Sequence, residues 1–199
     1  MLKVLSIIIF GILMKSAPIQ VTNDLTEAEK INLLNSETKR YDEIAVAIAN
    51  VATESSILES NTDADVIKKA SLITAIAVTE SRLDKKTQFG ITRGDRGRSW
   101  CLMQMNIGKG KTAEGFTGEE LVNDLNKCLL TGFNAAKRSM GACQNTGSYT
   151  DRLAAYTTGT CQPNEKHSRM KMNLMNHYYS KIMMELKKQG IVFNNNTLI

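Results

Sequence analysis

The stretch GDRGRSWCLMQMN (residues 94–106) joins a turn of glycine and charged residues directly to an apolar strip. The strip holds the only tryptophan of the chain, Trp100, together with Cys101 and one uncharged amide, Gln104. Glycine and aspartate favour turns, and WCLMQM is apolar enough to pack against a core. Together they predict a small β-hairpin within residues 88–107, where solvent and core meet within a few residues.

The composition is that of a globular protein. The chain has 199 residues, of which 42% are hydrophobic and 23% charged, and this length suits one domain, or one domain with a tail. The net charge of +5 falls to +3 if residues 1–17 are removed, because 23 Lys and Arg then face 20 Asp and Glu. A mild basic excess suits an anionic polymer such as a cell wall. No basic stripe with interleaved aromatic residues is present, so we expect no nucleic-acid partner.

Residues 1–17 have the pattern of a signal peptide. A lysine precedes the apolar run Val4–Met14, small residues follow at 16–17, and the run is shorter than a usual membrane span. Lys15 and Pro18 fit a cleavage site poorly, so retention as a short membrane anchor is the alternative. We expect a secreted or periplasmic protein, with a membrane contact only if the segment is retained.

Export changes the interpretation of the four cysteines. Cys101, Cys128, Cys143 and Cys161 form an even set, which favours disulfides in an exported protein. The chain has no C-x-x-C pair and no closely spaced histidine pair, so we expect no zinc or other metal and no cofactor. Four cysteines allow three pairings, and their spacing alone does not choose among them.

Hydrophobic periodicity predicts a mainly α-helical chain. Residues 18–40 are polar and are expected to form a loose arm with one short helix. The predicted helices span residues 41–58, 64–81, 118–140, 150–157 and 164–188, and Gly132 leaves a break in the third of them open. The predicted organisation is a signal peptide or anchor (1–17), an N-terminal arm with the first helices (18–63), a helical domain (64–190) and a tail (191–199).

One carboxylate lies at an unusual place on the second of these helices. An apolar stripe along this helix continues to Glu80; its members are Val66, Ala70, Ile73, Ile76 and Ala77. Burial raises the pKa of a carboxyl group, and an acid still protonated near neutral pH suits general acid catalysis of glycoside cleavage. Stripe geometry alone leaves a second interpretation open, in which Glu80 turns to solvent at the helix end.

Three motifs follow one another in a recognisable order. TES at 79–81 ends a helix, GDRG at 94–97 runs into CLMQ at 101–104, and AYTTG lies at 155–159. This order resembles the goose-type lysozyme and soluble lytic transglycosylase superfamily. That superfamily has Glu-Ser at a helix end, Gly-Leu-Met-Gln after a Gly-rich turn and Ala-Tyr-Asn-Ala-Gly later. The resemblance covers about residues 64–185 and implies a lysozyme-like helical domain with the hairpin at the active-site cleft.

The resemblance implies an enzyme that cleaves the β-1,4 bond between N-acetylmuramic acid and N-acetylglucosamine in peptidoglycan. Glu80 is then the catalytic acid that protonates the glycosidic oxygen. Gln104 lines the sugar groove, where an amide both donates and accepts hydrogen bonds, and Tyr156 places its hydroxyl near Glu80. Ser81 and Asn106 are the further substrate-binding candidates. A surface amide and a core ring are the alternatives for Gln104 and Tyr156.

The chain departs from the family pattern at several positions. Cys101 replaces the glycine before Leu-Met-Gln, and residues 157–158 are Thr-Thr where the family has Asn-Ala. Cys128 falls at an Asn-like position on the helix after the hairpin. Because the family residues at these two cysteine positions lie near each other, the resemblance implies a Cys101–Cys128 disulfide, and with it a Cys143–Cys161 disulfide.

Asp95 bears on which reaction is performed. It falls where the goose-type branch has one proposed aspartate, whereas Asn106 takes the place of the other. An inverting hydrolase needs a second carboxylate, about 6.5–9.5 Å from the acid, to activate water, and Asp95 is the candidate. Without such a base, attack by the N-acetyl group of the substrate gives the anhydro product of a lytic transglycosylase. For Asp95, a turn residue is the alternative.

A different class of function is also open. A lysozyme-like structural protein of an export, conjugation or phage apparatus would bind wall glycan with little or no catalysis. The acid on an apolar stripe favours the enzyme, because such a scaffold has no need of it. We assign His167 and His177 no role, and we interpret the methionines of the last helix as packing residues.

Overall fold

The computed structural model describes residues 2–54, 62–145 and 148–191. These residues are mainly helical with one small two-stranded antiparallel sheet, which confirms the predicted mainly α class. The helices are α1 (Leu2–Ser16), α2 (Glu27–Glu54), α3 (Asp63–Ser81), α4 (Lys85–Gln88), the single turn α5 (Gly94–Gly97), α6 (Gly118–Asn123), α7 (Leu125–Ala142), α8 (Ala154–Thr158) and α9 (Lys166–Lys188). The strands are β1 (Ser99–Trp100) and β2 (Met105–Asn106), and a 3₁₀ turn spans Tyr149–Asp151. Residues 55–58 of the predicted first helix and residues 192–199 of the predicted tail lie outside the described residues.

The N-terminal arm is helical over much of its length. α2 is continuous from Glu27 to Glu54, where the sequence predicted a loose arm with one short helix up to residue 40. Thr26 caps α2: its hydroxyl donates to the Glu29 carboxylate at 2.7 Å, and the Glu29 N–H donates back to the Thr26 oxygen at 3.3 Å. The buried residues of α2 begin only at Glu37, so the first part of the helix is polar and has no apolar stripe that would mark its start.

α1 packs on the body of the protein. Leu5 and Ile9 are fully buried in the same core as α2 and α9. Just after α1, the Tyr41 hydroxyl donates to the Ala17 carbonyl at 2.7 Å. Within the described ranges, we find no helix with the length and apolar character needed to cross a bilayer. The interpretation of residues 1–17 as a signal peptide or anchor stays a prediction.

α3 is the central helix and carries the predicted acid. Thr62 caps its start by accepting from the Asp65 N–H at 3.2 Å. Ile67 and Ile73 are fully buried, and α3 packs mainly on α9 and α2. The helix ends where Arg82 adopts a left-handed conformation with φ +51. Thr79 and Glu80, in the last turn, are only partly buried, so α3 reaches the surface there.

The predicted helix over residues 118–140 is broken at Asp124 and not at Gly132. Asp124 has extended backbone and accepts from the Lys127 N–H at 3.1 Å, which ends α6 and caps α7. Gly132 lies inside the continuous α7. A Cβ built at Gly132 would lie 2.6 Å from Cβ and Cγ of Met103, so glycine here allows the hairpin to pack on α7. Gly132 thus has a packing role.

The hairpin is shorter than the sequence predicted. Ser99 pairs with Asn106 and Trp100 with Met105, so each strand has two residues. Of the four residues between the strands, the first three, residues 101–103, are almost completely buried, and Gln104 is partly exposed. The apolar strip is therefore a buried turn that reaches the surface at Gln104 and Asn106.

Both implied disulfides are confirmed. Cys101–Cys128 joins the hairpin turn to α7, with Cα atoms 6.1 Å apart, and Cys143–Cys161 joins the end of α7 to the segment after α8, with Cα atoms 5.3 Å apart. Cys101 has φ +56, in the left-handed region that favours glycine. The glycine of the resembled family pattern would adopt this conformation without strain. In this chain the disulfide holds a cysteine in it.

Candidate active site

A cleft of about 950 Å³ lies between the end of α3, the hairpin, α7, α8 and the start of α9. Five of the predicted site residues line it: Glu80, Asp95, Gln104, Asn106 and Tyr156. They come from four different elements of the chain. Folding therefore brings the three sequence motifs together around one cavity.

Glu80 lies in the last turn of α3 with its side chain 22% exposed, so the stripe delivers it to the cleft wall and not to the dry core. Its Oε1 lies 2.9 Å from Nζ of Lys171, whose side chain is only 3% exposed. A carboxylate that forms a short ion pair with a buried ammonium is held in one orientation. Glu80 thus reaches the cavity with a fixed carboxylate.

Tyr156 ties α8 to the hairpin turn. Its hydroxyl donates to the Met103 carbonyl at 2.7 Å, and its backbone N–H donates to the Ser139 hydroxyl at 2.9 Å. Burial, with a smaller effect from the charge of Glu80, raises the pKa of Tyr156 well above the usual value of 10.0. The phenol therefore stays neutral, and its hydroxyl donates its hydrogen bond to the Met103 carbonyl.

Asp95 is held across the two strands by a pair of hydrogen bonds. Its Oδ2 accepts from the Ser99 hydroxyl at 2.5 Å and from Nδ2 of Asn106 at 3.1 Å. Asp95 and the next residue, Arg96, both have left-handed backbone, with φ +49 and +57. A non-glycine residue in this region costs free energy, so the surrounding contacts must compensate. Asn106 thus positions the carboxylate of Asp95.

Gln104 also has left-handed backbone, with φ +49. Its Nε2 donates to the Cys101 carbonyl at 3.0 Å, and its Oε1 lies against Gly94, where any Cβ would collide with it. A side chain at position 94 would therefore require the Gln104 amide to move.

Ser81 is the predicted site residue that does not line the cleft. It is buried, its hydroxyl donates to the Ala77 carbonyl at 2.8 Å, and its oxygen accepts from the Leu83 N–H at 3.2 Å. These bonds shape the chain where α3 ends. Ser81 thus supports the orientation of the turn that carries Glu80.

Sequence reasoning missed four basic side chains of the cleft: Arg98, Arg138, His167 and Lys171. The signal for Lys171 was available, because it falls on the buried stripe of α9 between Ser168 and Met175. A lysine on an apolar stripe needs a buried partner. The partner, however, lies 91 positions earlier in the chain at Glu80, which helical spacing alone does not reveal.

Asp151 and Arg169 fasten the segment before α8 to α9. The Arg169 Nε donates to Oδ1 of Asp151 at 2.9 Å, and the Ser148 N–H donates to Oδ2 at 3.1 Å. The hydrogen bond from Arg169 lowers the pKa of Asp151 from 3.8 to about 2, although burial acts in the opposite direction. This pair holds α8 and α9, and with them Tyr156 and Lys171, in fixed relation.

Because the pKa of Asp151 is depressed in the folded protein, its stabilising effect is present above about pH 4 and is lost as pH falls toward about 2. Asp151→Asn is expected to lower the melting temperature at neutral pH and to weaken its fall across this acidic range. Circular dichroism melts at several pH values measure both. Asp42→Asn, at an exposed position, is the control. An unchanged acid dependence in Asp151→Asn would contradict the assignment.

A comparison with protein-family models finds no family that matches the chain, and comparisons with curated proteins and with solved structures find no match either. Within the part of the chain that the structure describes, no group of three or more His, Cys, Asp or Glu side chains is placed to hold a metal ion. The functional argument therefore depends on the geometry of the cleft.

Proposed function

We propose that this protein is a peptidoglycan-cleaving enzyme with a lysozyme-like domain of the goose-type and lytic transglycosylase kind. The observation that carries the proposal is that Glu80, Asp95, Gln104, Asn106 and Tyr156 line one cleft. The three motifs that suggested the resemblance are far apart in the chain. Their meeting at a single cavity of sugar-binding size is what an enzyme of this kind requires.

In the proposed reaction Glu80 protonates the glycosidic oxygen between N-acetylmuramic acid and N-acetylglucosamine. Asp95, held by Ser99 and Asn106, activates a water molecule; if it does not, the N-acetyl group of the substrate attacks instead. Gln104 contributes polar surface to the groove. The two disulfides suit an oxidising compartment, so we propose that the protein acts in the periplasm or outside the cell.

The second candidate is a wall-binding or structural protein with the same fold. The Glu80–Lys171 ion pair favours it, since such a pair also fastens α3 to α9 without any chemistry. Both candidates bind glycan strands, but only the enzyme releases fragments. Digestion of purified peptidoglycan, followed by mass spectrometry of soluble products, separates them. Absence of soluble fragments would leave the structural candidate.

The same spectra separate the two reactions, because hydrolysis leaves reducing ends and transglycosylation leaves anhydro ends. If Asp95 is the base, Asp95→Asn is expected to lower the rate by about 10²-fold or more. Asp42→Asn makes the same chemical change at an exposed position outside the cleft lining and controls for general effects. An unchanged rate in Asp95→Asn would remove Asp95 as the base and leave the N-acetyl route.

A further inference from the structure

Lys171 is a buried cation with a functional neighbour. Its side chain is 3% exposed, although it lines the inner wall of the cleft. Burying an ammonium is costly unless it is paired and hydrogen-bonded. Lys171 satisfies this need at the site itself, through Oε1 of Glu80 at 2.9 Å.

The second contact of Lys171 involves a position where the chain departs from the resembled pattern. Nζ donates to the Thr157 hydroxyl at 3.3 Å, and it lies 6.0 Å from the centre of the Tyr156 ring. Thr157 takes the place of the asparagine in Ala-Tyr-Asn-Ala-Gly. The ammonium is therefore held between the end of α3 and α8. Of these two contacts, only Glu80 carries a charge that can balance it.

We infer that Lys171 is a positioning residue for the general acid: it orients the Glu80 carboxyl and stabilises the anion that forms when Glu80 gives up its proton. The inference depends on the proposed function, because it assigns a role to a neighbour of the proposed acid. Lys171 itself need not touch the substrate. Its side chain is 3% exposed and contacts the carboxyl, which suits that indirect role.

The proton and electron balance of the step is simple. The carboxyl proton of Glu80 passes to the glycosidic oxygen, the C1–O bond breaks, and its electron pair stays on the departing sugar oxygen. In hydrolysis, water forms the new bond at C1 and gives one proton to Asp95, which releases it to solvent. In the other route the N-acetyl oxygen forms the bond at C1, and the 6-hydroxyl of the same sugar then displaces it, gives up its proton and closes the anhydro ring. Glu80 is left as a carboxylate facing Lys171, and it takes up a proton before the next turnover. A cation at 2.9 Å favours this proton transfer.

Removing the charge is expected to make proton donation slower, because the anion that forms on Glu80 then loses its counter-charge. The other charged or titratable groups that line the cleft are Asp95, Arg98, Arg138, Tyr156 and His167. Arg138 already pairs with Glu114 at 2.7 Å, and Asp95 is held by the hairpin. Lys171 is the ion-pair partner that directly contacts Glu80.

The experiment compares kcat and KM of wild type, Lys171→Met and Lys171→Gln on soluble glycan strands prepared from peptidoglycan. Methionine keeps the length and removes the charge, and glutamine keeps a hydrogen-bond donor without the charge. If Lys171→Met does not fold, Lys171→Gln gives the same measurement. Lys187→Met, at an exposed position of α9, is the matched control. Melting curves establish that each variant is folded.

We expect the charge-removing variants to lower kcat about tenfold or more with little change in KM. A KM that rises as much as kcat falls would show a merely structural role and overturn the inference. If wild type cleaves and both variants match it, the inference also fails, whereas the proposed function stands. If wild type releases no fragments, the proposed function itself fails.

Discussion

Glu80→Gln is expected to reduce the release of soluble fragments from peptidoglycan by about 10²–10⁴-fold. The amide cannot donate the proton that the glycosidic oxygen needs before the bond breaks. The substitution hardly changes size, so the groove and its polar lining should still bind glycan strands. Fragment release is measured by mass spectrometry, and retention of binding by co-sedimentation with the insoluble wall.

Because Glu80 is paired with Lys171, Glu80→Gln is also expected to change the stability of the protein. Glu80→Gln keeps an oxygen that accepts from Lys171, but it leaves a buried ammonium without a counter-charge. We expect a loss of about 1–3 kcal/mol in the free energy of unfolding. The double variant Glu80→Gln/Lys171→Met removes both charges and should recover much of that stability while staying inactive.

Glu119→Gln, at an exposed position of α6, makes the same chemical change outside the cleft and should leave activity intact. Activity of Glu80→Gln within severalfold of wild type would exclude Glu80 as the general acid. Activity that returns in the double variant would show instead that the single variant was merely misfolded.

Removal of the Cys101–Cys128 disulfide is the change with the largest expected effect on stability. The bridge closes a separation of 27 residues and fastens the hairpin turn to α7. Cys101→Ser/Cys128→Ser is expected to lower the free energy of unfolding by about 2–4 kcal/mol. Activity should fall as well, because the hairpin carries Gln104 and the hydrogen bonds that hold Asp95. Urea unfolding measures the first effect and fragment release the second.

A matched variant separates loss of the bridge from backbone strain. Without the disulfide, a serine at position 101 must still adopt φ near +56, which costs about 1 kcal/mol or more, whereas a glycine adopts it freely. Cys101→Gly/Cys128→Ser is therefore expected to be more stable than the serine pair by about that amount. Equal stability of the two pairs would show that the turn relaxes once the bridge is gone. An unfolding free energy equal to that of wild type in both would refute a stabilising role for the bridge.

The order of three short motifs pointed to most of the residues that line the cleft, and each motif is a local signal. The apolar stripe of α3 continues to Glu80 but leaves the direction of its side chain open, and Gly94 and Asp95 predict a turn before an apolar strip. The two helix boundaries that the structure places differently from the prediction also have a physical explanation. α2 starts with a polar capped half that has no stripe, and the break before α7 depends on the Asp124 cap more than on a helix-breaking residue.

The sequence by itself determined that the chain is mainly helical, that one acid ends an apolar stripe and that four cysteines are available for two bridges. These follow from periodicity and residue chemistry, which act over a few positions. The tertiary structure alone decided that Lys171 meets Glu80, that Asn106 holds Asp95, and that Ser81 lies outside the cleft lining. Such contacts join residues distant in the chain, and only the packing of α3, α9 and the hairpin against one another brings them together.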